Sequence, residues 1–205
     1  MFLRNLLEGI RYLHSLNIIH RDLKPGKYSF YKIENILFDD DRDLSSLKIV
    51  DFGLSAQLEI HNPSNVKAQC GTLLYMAPEI FFRPSYTKSV DIWSCAIIMF
   101  NMFNEGNHPF YTPGMKVDDF KMKLRHSEIP PIPHVLAQNF MNKISKREYE
   151  ERYNVNEALK HPWITRNKDD EIPLSIHESY KGFDVTNNII HVSFILYRCS
   201  SCILL

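Results

Sequence analysis

The sequence has little of what marks several large classes of protein. Its 24 basic and 24 acidic residues give a formal net charge of zero, which argues against a nucleic-acid binder or an anionic-membrane binder. Four cysteines in 205 residues argue against a disulfide framework and favour an intracellular, cytoplasmic location. Because no apolar run reaches about 18 residues, we expect no membrane span.

Glycine is also scarce. The seven glycines include no pair spaced G-x-G, so the sequence contains no glycine-rich loop of the kind that covers nucleotide phosphates. The calcium-loop pattern D-x-[DN]-x-[DN]-G is missing as well. Cys199 and Cys202 form a C-x-x-C pair without a second pair at zinc-ligand spacing, which argues against a metal site there.

Apolar periodicity predicts a mainly α fold with one small β-hairpin. Apolar residues at three- and four-residue intervals predict a first helix that ends near Leu16. Two short apolar runs, Ile36–Phe38 and residues 47–50, flank the polar turn at 39–46 and predict the hairpin. Residues 87–103 are apolar on nearly all sides, as in a buried helix. Three short helical patterns follow, at about 115–125, 134–145 and 154–160.

A long segment without periodicity and a shift in composition define the organisation. Residues 51–79 read as one ordered loop, and connections of that length usually serve function. The chain becomes polar near Thr165, so we place a domain boundary there. Residues 1–164 form the predicted folded domain, and residues 165–205 form a tail.

Residues suited to phosphoryl transfer occur in short motifs within the first domain. In HRDLKP (20–25), Asp22 can accept the proton of an attacking hydroxyl, and Lys24 can neutralise charge on a transferring phosphate. Asn35, in ENILF, offers a neutral oxygen to Mg²⁺. Asp51, in KIVDFG, offers a carboxylate at a strand end to Mg²⁺ that bridges ATP phosphates. Gly53 lets the chain turn sharply afterwards.

These motifs, followed by CGTLLYMAPE (70–79) and DIWS (91–94), resemble the large C-terminal lobe of a eukaryotic protein kinase. The resemblance implies a protein-kinase-like fold, with the large lobe only and the small lobe absent from this chain. It implies that Asp22 is the catalytic base and that Lys24 contacts the γ-phosphate. Asn35 and Asp51 would be the Mg²⁺ ligands, with ATP and Mg²⁺ as cofactors and a protein Ser or Thr as the substrate.

The same resemblance implies roles for residues of the activation segment. Arg21 would be the arginine that responds to charge on this segment, while Thr72 and Glu79 would belong to the motifs that close it. Lys24 and Thr72 are of the serine/threonine-kinase type. Ala68 stands four residues before Thr72, where many kinases carry a phosphorylated threonine, which leaves Ser64 as the nearest candidate hydroxyl before it.

Two further residues are expected to be structural. Asp91, in the predicted buried helix, resembles the aspartate that anchors the catalytic-loop backbone. Arg152 resembles the arginine that pairs with Glu79. His20 is expected to pack the catalytic loop. The seven histidines other than His20 and His191 are expected to be ordinary surface or packing residues.

The segments GNHPFY and EALKHPWI and the tail resemble calmodulin-dependent and calcium-dependent kinases. That resemblance implies a calcium-sensing domain outside this chain as a partner, and an autoinhibitory role for the tail. An amphipathic helix without a regulatory role explains the tail equally well, because helical patterning does not separate the two.

An insertion interrupts the catalytic-loop motif. Asn35 follows Asp22 by thirteen positions instead of five, and removal of Gly26–Ile33 would restore HRDLKPEN. One explanation is a loop that bulges outward and lets Asn35 return to its place. The other, which we favour, is an unspliced short intron, since codons for these residues can contain GTAAGT and TAG at its two ends. Genomic DNA without those boundaries would exclude it.

Two functions therefore remain open. The first is a fragment of a serine/threonine kinase, from which we expect little activity by itself because a glycine-rich loop and a VAIK-type lysine are missing from its sequence. The second is an inactive, truncated or pseudokinase-like lobe that acts as a protein-interaction module.

Overall fold

The computed structural model describes residues 2–25, 35–38, 47–59, 61 and 66–166. In this part of the chain the α-helices are α1 (Phe2–Ser15), α2 (Pro78–Phe82), α3 (Ser89–Phe103), α4 (Val117–His126), α5 (Val135–Ile144), α6 (Val155–Lys160) and α7 (Pro162–Thr165). The strands there are β1 (Ile18–Ile19), β2 (Ile36–Phe38), β3 (Leu47–Ile49) and β4 (Ala56–Gln57). Five predicted features lie outside the described residues: the insertion Gly26–Ile33, the turn at 39–46, Ser64, the C-x-x-C pair, and the tail beyond Arg166.

Helix α1 forms because its apolar residues fall on one face. Leu6, Leu7 and Ile10 are fully buried, whereas Arg4 and Arg11 are exposed. The buried face packs against β3 and α6. This helix ends just before the turn into β1, so it delivers the chain to the HRD motif.

Helix α3 is the centre of the molecule. Ile92, Cys95 and Met99 belong to an apolar cluster shared with α1, α5 and α6. Trp93 and Ile97 belong to a second cluster, shared with the long loop and α4. A helix that contributes to two clusters has to be apolar on nearly all sides, as its sequence is.

Two small antiparallel sheets bring separate parts of the chain together. In one, β2 pairs with β3 with Ile36 opposite Ile49, and the Val50 N–H donates to the Asn35 carbonyl at 2.9 Å. This hairpin therefore puts Asn35 and the residues that lead into Asp51 at the same end. In the other sheet, β1 pairs with β4 and holds the start of the long loop against the catalytic loop.

The predicted fold class, mainly α with a small β-hairpin and a kinase-like large lobe, is confirmed. The periodicity missed β1 and β4, which are two residues each, and the short helices α2 and α7. None of the described helices has the length and apolar character needed to cross a membrane.

Candidate active site

The catalytic loop is anchored to the first turn of α3. Asp91, which is fully buried, accepts hydrogen bonds from the backbone N–H of Arg21 (2.9 Å) and of His20 (3.0 Å). Its Oδ2 also lies 2.9 Å from His14 Nε2. Burial opposes ionisation, but these hydrogen bonds and the His14 charge outweigh it and lower the pKa of Asp91. A charged, multiply bonded carboxylate fixes the backbone that leads into Asp22.

His14 is a participant that the sequence reasoning missed. We expected an ordinary surface or packing histidine, and His14 is buried, but its ring also bonds to the anchoring carboxylate of Asp91 across 77 positions of sequence. One signal was available, since His14 lies four residues after Ile10 and so falls on the buried face of α1.

Asp22 lies at the centre of four hydrogen bonds. Its Oδ1 accepts from the Thr72 backbone N–H (2.7 Å) and from the Thr72 hydroxyl (2.6 Å). Its Oδ2 accepts from Asn35 Nδ2 (2.7 Å) and from Lys24 Nζ (3.1 Å). The residue is only 7% exposed. Its orientation is therefore set by three separate parts of the chain.

The contact between Thr72 and Asp22 was not foreseen, since the motif assigned Thr72 only to the end of the activation segment. Its hydroxyl also accepts from Lys24 Nζ at 3.0 Å. Gly71, just before it, makes the approach possible: with φ +116°, a Cβ there would overlap the Arg21 carbonyl oxygen. The structure thus holds an alcohol oxygen on Asp22 Oδ1, at the distance that a substrate hydroxyl requires.

The two residues predicted to bind Mg²⁺ differ in their surroundings. Asn35 is fully buried and donates to the Asp22 carbonyl at 2.6 Å, but among the described residues its Oδ1 has no hydrogen-bond partner. Asp51 is exposed, with φ 61°, and its Oδ1 accepts from Gly53 N–H at 3.2 Å. A buried orphan amide oxygen and an accessible carboxylate are oxygen ligands of the kind that Mg²⁺ takes alongside water and phosphate.

Arg21 extends from the catalytic loop to the segment after Asp51. Its Nε donates to the Leu54 carbonyl at 2.5 Å and its Nη2 to the Ser55 carbonyl at 3.1 Å. A third contact runs from Nη1 to the hydroxyl of Tyr86 at 3.2 Å. Arg21 is 6% exposed, so these contacts form inside the protein.

Glu79 and Arg152, which are both distant from Asp22 in the sequence, form a buried ion pair. Arg152 donates from Nη1 to Glu79 Oε1 at 2.6 Å and from Nη2 to Oε2 at 3.0 Å. The guanidinium also lies over the Trp93 ring, 5.1 Å from its centroid, and Ser89 donates to Glu79 at 3.1 Å. The pair connects the end of the activation segment with the residues before α6.

This helical lobe presents a fixed aspartate with a lysine beside it, and two oxygen atoms suited to bind a metal at one end of the hairpin. That is the architecture of a protein-kinase large lobe. The protein kinase domain family model matches residues 1–164. The chain therefore belongs to the protein kinase family.

Its relatives carry serine/threonine-kinase names. The chain is 36% identical to the serine/threonine-protein kinase H1 homolog of Danio rerio, over 79% of this chain and 37% of the relative. It is 33% identical to the serine/threonine-protein kinase atg1 of Dictyostelium discoideum, over 82% and 24%. It is 34% identical to human serine/threonine-protein kinase H2, over 79% and 41%. The chain thus spans about a quarter to two fifths of the length of these relatives.

Proposed function

We propose that this chain supplies the catalytic-loop half of a serine/threonine kinase site that transfers the γ-phosphate of ATP to a protein hydroxyl. The observation that carries the proposal is Asp22, whose carboxylate already accepts a hydrogen bond from an alcohol, that of Thr72. The family membership and the serine/threonine type of the relatives support it.

The four donors on Asp22 suggest how a substrate enters. A carboxylate offers about four acceptor positions, and all are in use. Lys24 makes the longest of these bonds, at 3.1 Å, from a flexible stem. We propose that Lys24 swings to the γ-phosphate when ATP binds and frees Oδ2 for the substrate hydroxyl. Asp22 then takes the hydroxyl proton as the new P–O bond forms and the bond to ADP breaks.

Asn35 and Asp51 would hold Mg²⁺ in this proposal. The bound ion supplies positive charge to the ATP phosphates. Asn35 would contribute its Oδ1, which has no hydrogen-bond partner among the described residues, while its Nδ2 remains bonded to Asp22. The hydrogen bond from Gly53 orients the Asp51 carboxylate.

Several finer assignments stay proposals. Membership of the calmodulin-dependent and calcium-dependent group rests on GNHPFY and EALKHPWI, and the relatives named above add no support to it. A calcium-sensing partner, the autoinhibitory tail and the boundary near Thr165 depend on the same resemblance. An intracellular location is supported by the low cysteine content.

Calorimetric titration of the purified chain with Mg²⁺-ATP tests the proposed metal site. Asp51→Asn keeps the size of the side chain but removes its charge, so we expect the affinity for Mg²⁺-ATP to fall roughly tenfold or more, as for the loss of a charge-assisted contact. Asp118→Asn, at an exposed position in the first turn of α4, is the matched control and should bind like the wild type. Equal affinities for all three proteins would contradict the assignment of Asp51.

An interaction module is the second candidate, favoured by the missing G-x-G pair and by the insertion after Pro25. Titration of a variant that lacks residues 26–33 separates the two candidates. Binding of Mg²⁺-ATP by either form favours the kinase site, and no binding by both favours the module.

Radiolabel transfer from ATP to a basic peptide should stay near background for the 205-residue polypeptide by itself, because its sequence has no glycine-rich loop to position the phosphates. Turnover near that of a complete kinase would contradict this expectation.

A further inference from the structure

Tyr86 lies between α2 and α3 and contacts both the catalytic loop and the activation segment. It is 1% exposed. Its backbone N–H donates to the Val66 carbonyl at 3.1 Å, and its hydroxyl donates to the Ala68 carbonyl. The same hydroxyl accepts from Arg21 Nη1 at 3.2 Å. The backbone and the side chain of one buried residue therefore join Val66 and Ala68 to Arg21, the residue next to Asp22.

Arg21 continues this connection to the beginning of the segment. Its Nε and Nη2 donate to the carbonyls of Leu54 and Ser55. Arg21 and Tyr86 together thus hold both the residues after Gly53 and the residues before Cys70. Burial raises the pKa of Tyr86, so its hydroxyl keeps the proton that it donates to Ala68.

The connection reaches the catalytic carboxylate through two adjacent residues. The Arg21 carbonyl lies so close to Gly71 that a Cβ would not fit. Thr72 follows immediately and donates twice to Asp22 Oδ1. A movement of residues 66–70 would therefore displace Thr72 from Asp22.

We infer that Tyr86 is a positioning residue whose hydroxyl holds the activation segment on Asp22 in the unmodified chain, without a phosphate at position 68. Ala68 has no hydroxyl to modify, and the structure uses its backbone carbonyl instead. The significance of the contact rests on the proposed function, in which Asp22 is the catalytic base.

The variant Tyr86→Phe removes the hydroxyl and keeps the ring. It leaves the partly buried Ala68 carbonyl without this donor, a loss that should make local opening of the segment roughly 5- to 150-fold more frequent. Backbone hydrogen exchange, followed peptide by peptide with mass spectrometry, reports this opening. Residues 66–70 lie in the segment, and the middle of α3 lies outside it. Cysteine alkylation would not serve, because the Tyr86 hydroxyl also bonds to the Cys70 thiol.

We expect Tyr86→Phe to accelerate hydrogen exchange in residues 66–70 by that factor and to leave exchange in the middle of α3 unchanged. Tyr75→Phe is the matched control, because the Tyr75 hydroxyl bonds to Asn101 in α3, and it should leave exchange in residues 66–70 near that of the wild type. Unchanged exchange in residues 66–70, or equal acceleration there and in α3, would overturn the inference, since equal acceleration indicates general destabilisation.

Hydrogen exchange in the peptide that contains Thr72 tests whether the activation segment stays on Asp22 without a phosphate. Phosphatase treatment of the wild-type chain should leave this exchange unchanged, whereas Tyr86→Phe should accelerate it. Loss of protection after phosphatase treatment would show that a phosphate holds the segment and would overturn the inference. Neither measurement requires ATP, so failure to bind Mg²⁺-ATP would count against the proposed function and leave the role of Tyr86 intact.

Discussion

Two ion pairs in this chain have the same N–O distance and differ in exposure. Arg152 and Glu79 meet at 2.6 Å with side chains 0% and 1% exposed. Arg83 and Glu148 meet at 2.6 Å with side chains 49% and 59% exposed. Removal of one partner from a buried pair leaves a charge without compensation, whereas an exposed charge returns to water. Burial, and not distance, should therefore decide what each pair contributes to stability.

Methionine substitutions at the two arginines test this difference. Arg152→Met should lower the free energy of unfolding by about 3–5 kcal/mol, although methionine keeps an apolar stem. Arg83→Met should lower it by about 1 kcal/mol at most. Urea unfolding at neutral pH measures both values. Similar losses for the two variants would contradict the argument from burial.

Gly71 and Gly114 both have positive φ, +116° and +85°, but only Gly71 faces a backbone neighbour. Gly114→Ala should cost about 1–2 kcal/mol, the strain of a left-handed alanine. Gly71→Ala should cost about 1–3 kcal/mol more, because its Cβ would press on the Arg21 carbonyl. Urea unfolding of both variants gives the comparison, and a Gly71→Ala variant as stable as Gly114→Ala would show that the loop yields without cost.

Sequence alone predicts the helices better than it predicts the hydrogen-bond partners of the site residues. Apolar spacing located α1, α3, α4, α5 and α6 because each helix buries apolar residues in the core at helical intervals or on nearly all sides. It missed β1 and β4, which are too short for a periodic pattern and exist because they pair with each other. The motifs named Asp22 and Asp91 as site candidates, but Thr72 lies 50 positions from the first and His14 lies 77 from the second. Contacts at such separations follow from the tertiary fold, which no local pattern encodes.

The loop before α4 is tied to the activation segment by a histidine that stays neutral. Burial lowers the pKa of His108 to about 4, partly opposed by its hydrogen bond to the Leu74 carbonyl. Its Nε2 lies 2.8 Å from that carbonyl, and its Nδ1 accepts from the Phe110 N–H at 3.1 Å. Both nitrogens are thus satisfied when the ring is neutral, whereas a proton on Nδ1 would remove the acceptor for Phe110.

This geometry predicts that the protein becomes less stable as the pH decreases. The unfolded chain takes up a proton near pH 6.5, the ordinary value for histidine, while the folded chain resists until about pH 4. The contribution of His108 is therefore complete above pH 6.5 and is lost as the pH falls toward 4, by about 2 kcal/mol between pH 7 and pH 5. Urea unfolding at both pH values should show this loss in the wild type and in His126→Gln, an exposed control, and a smaller loss in His108→Gln. An unchanged pH dependence in His108→Gln would contradict the assignment.

At the scale of the whole molecule, α3 connects the two halves of the candidate site. Asp91 at its first turn holds the HRD backbone, and Ser94, one turn later, donates to the Tyr75 carbonyl of the activation segment at 3.0 Å. The catalytic loop and the segment that carries Thr72 are thus both fixed to one buried helix. Contacts elsewhere in the protein therefore fix the positions of Pro25 and Asn35, the two residues that the intervening chain connects.

Removal of residues 26–33 should therefore stabilise the protein. Pro25 already pairs with Ile36, and Asn35 already bonds to the Asp22 carbonyl, so the two ends of this segment meet independently of what joins them. Shortening a closed connection from nine residues to one saves loop-closure entropy, and we expect the free energy of unfolding in urea to rise by about 1–2 kcal/mol. A variant that carries a glycine–serine sequence of equal length at 26–33 is the matched control and should match the wild type. If the deletion lowers stability, or the glycine–serine variant is weaker than the wild type, residues 26–33 make contacts that the protein needs, and an insertion selected for structure would replace the unspliced intron as the better explanation.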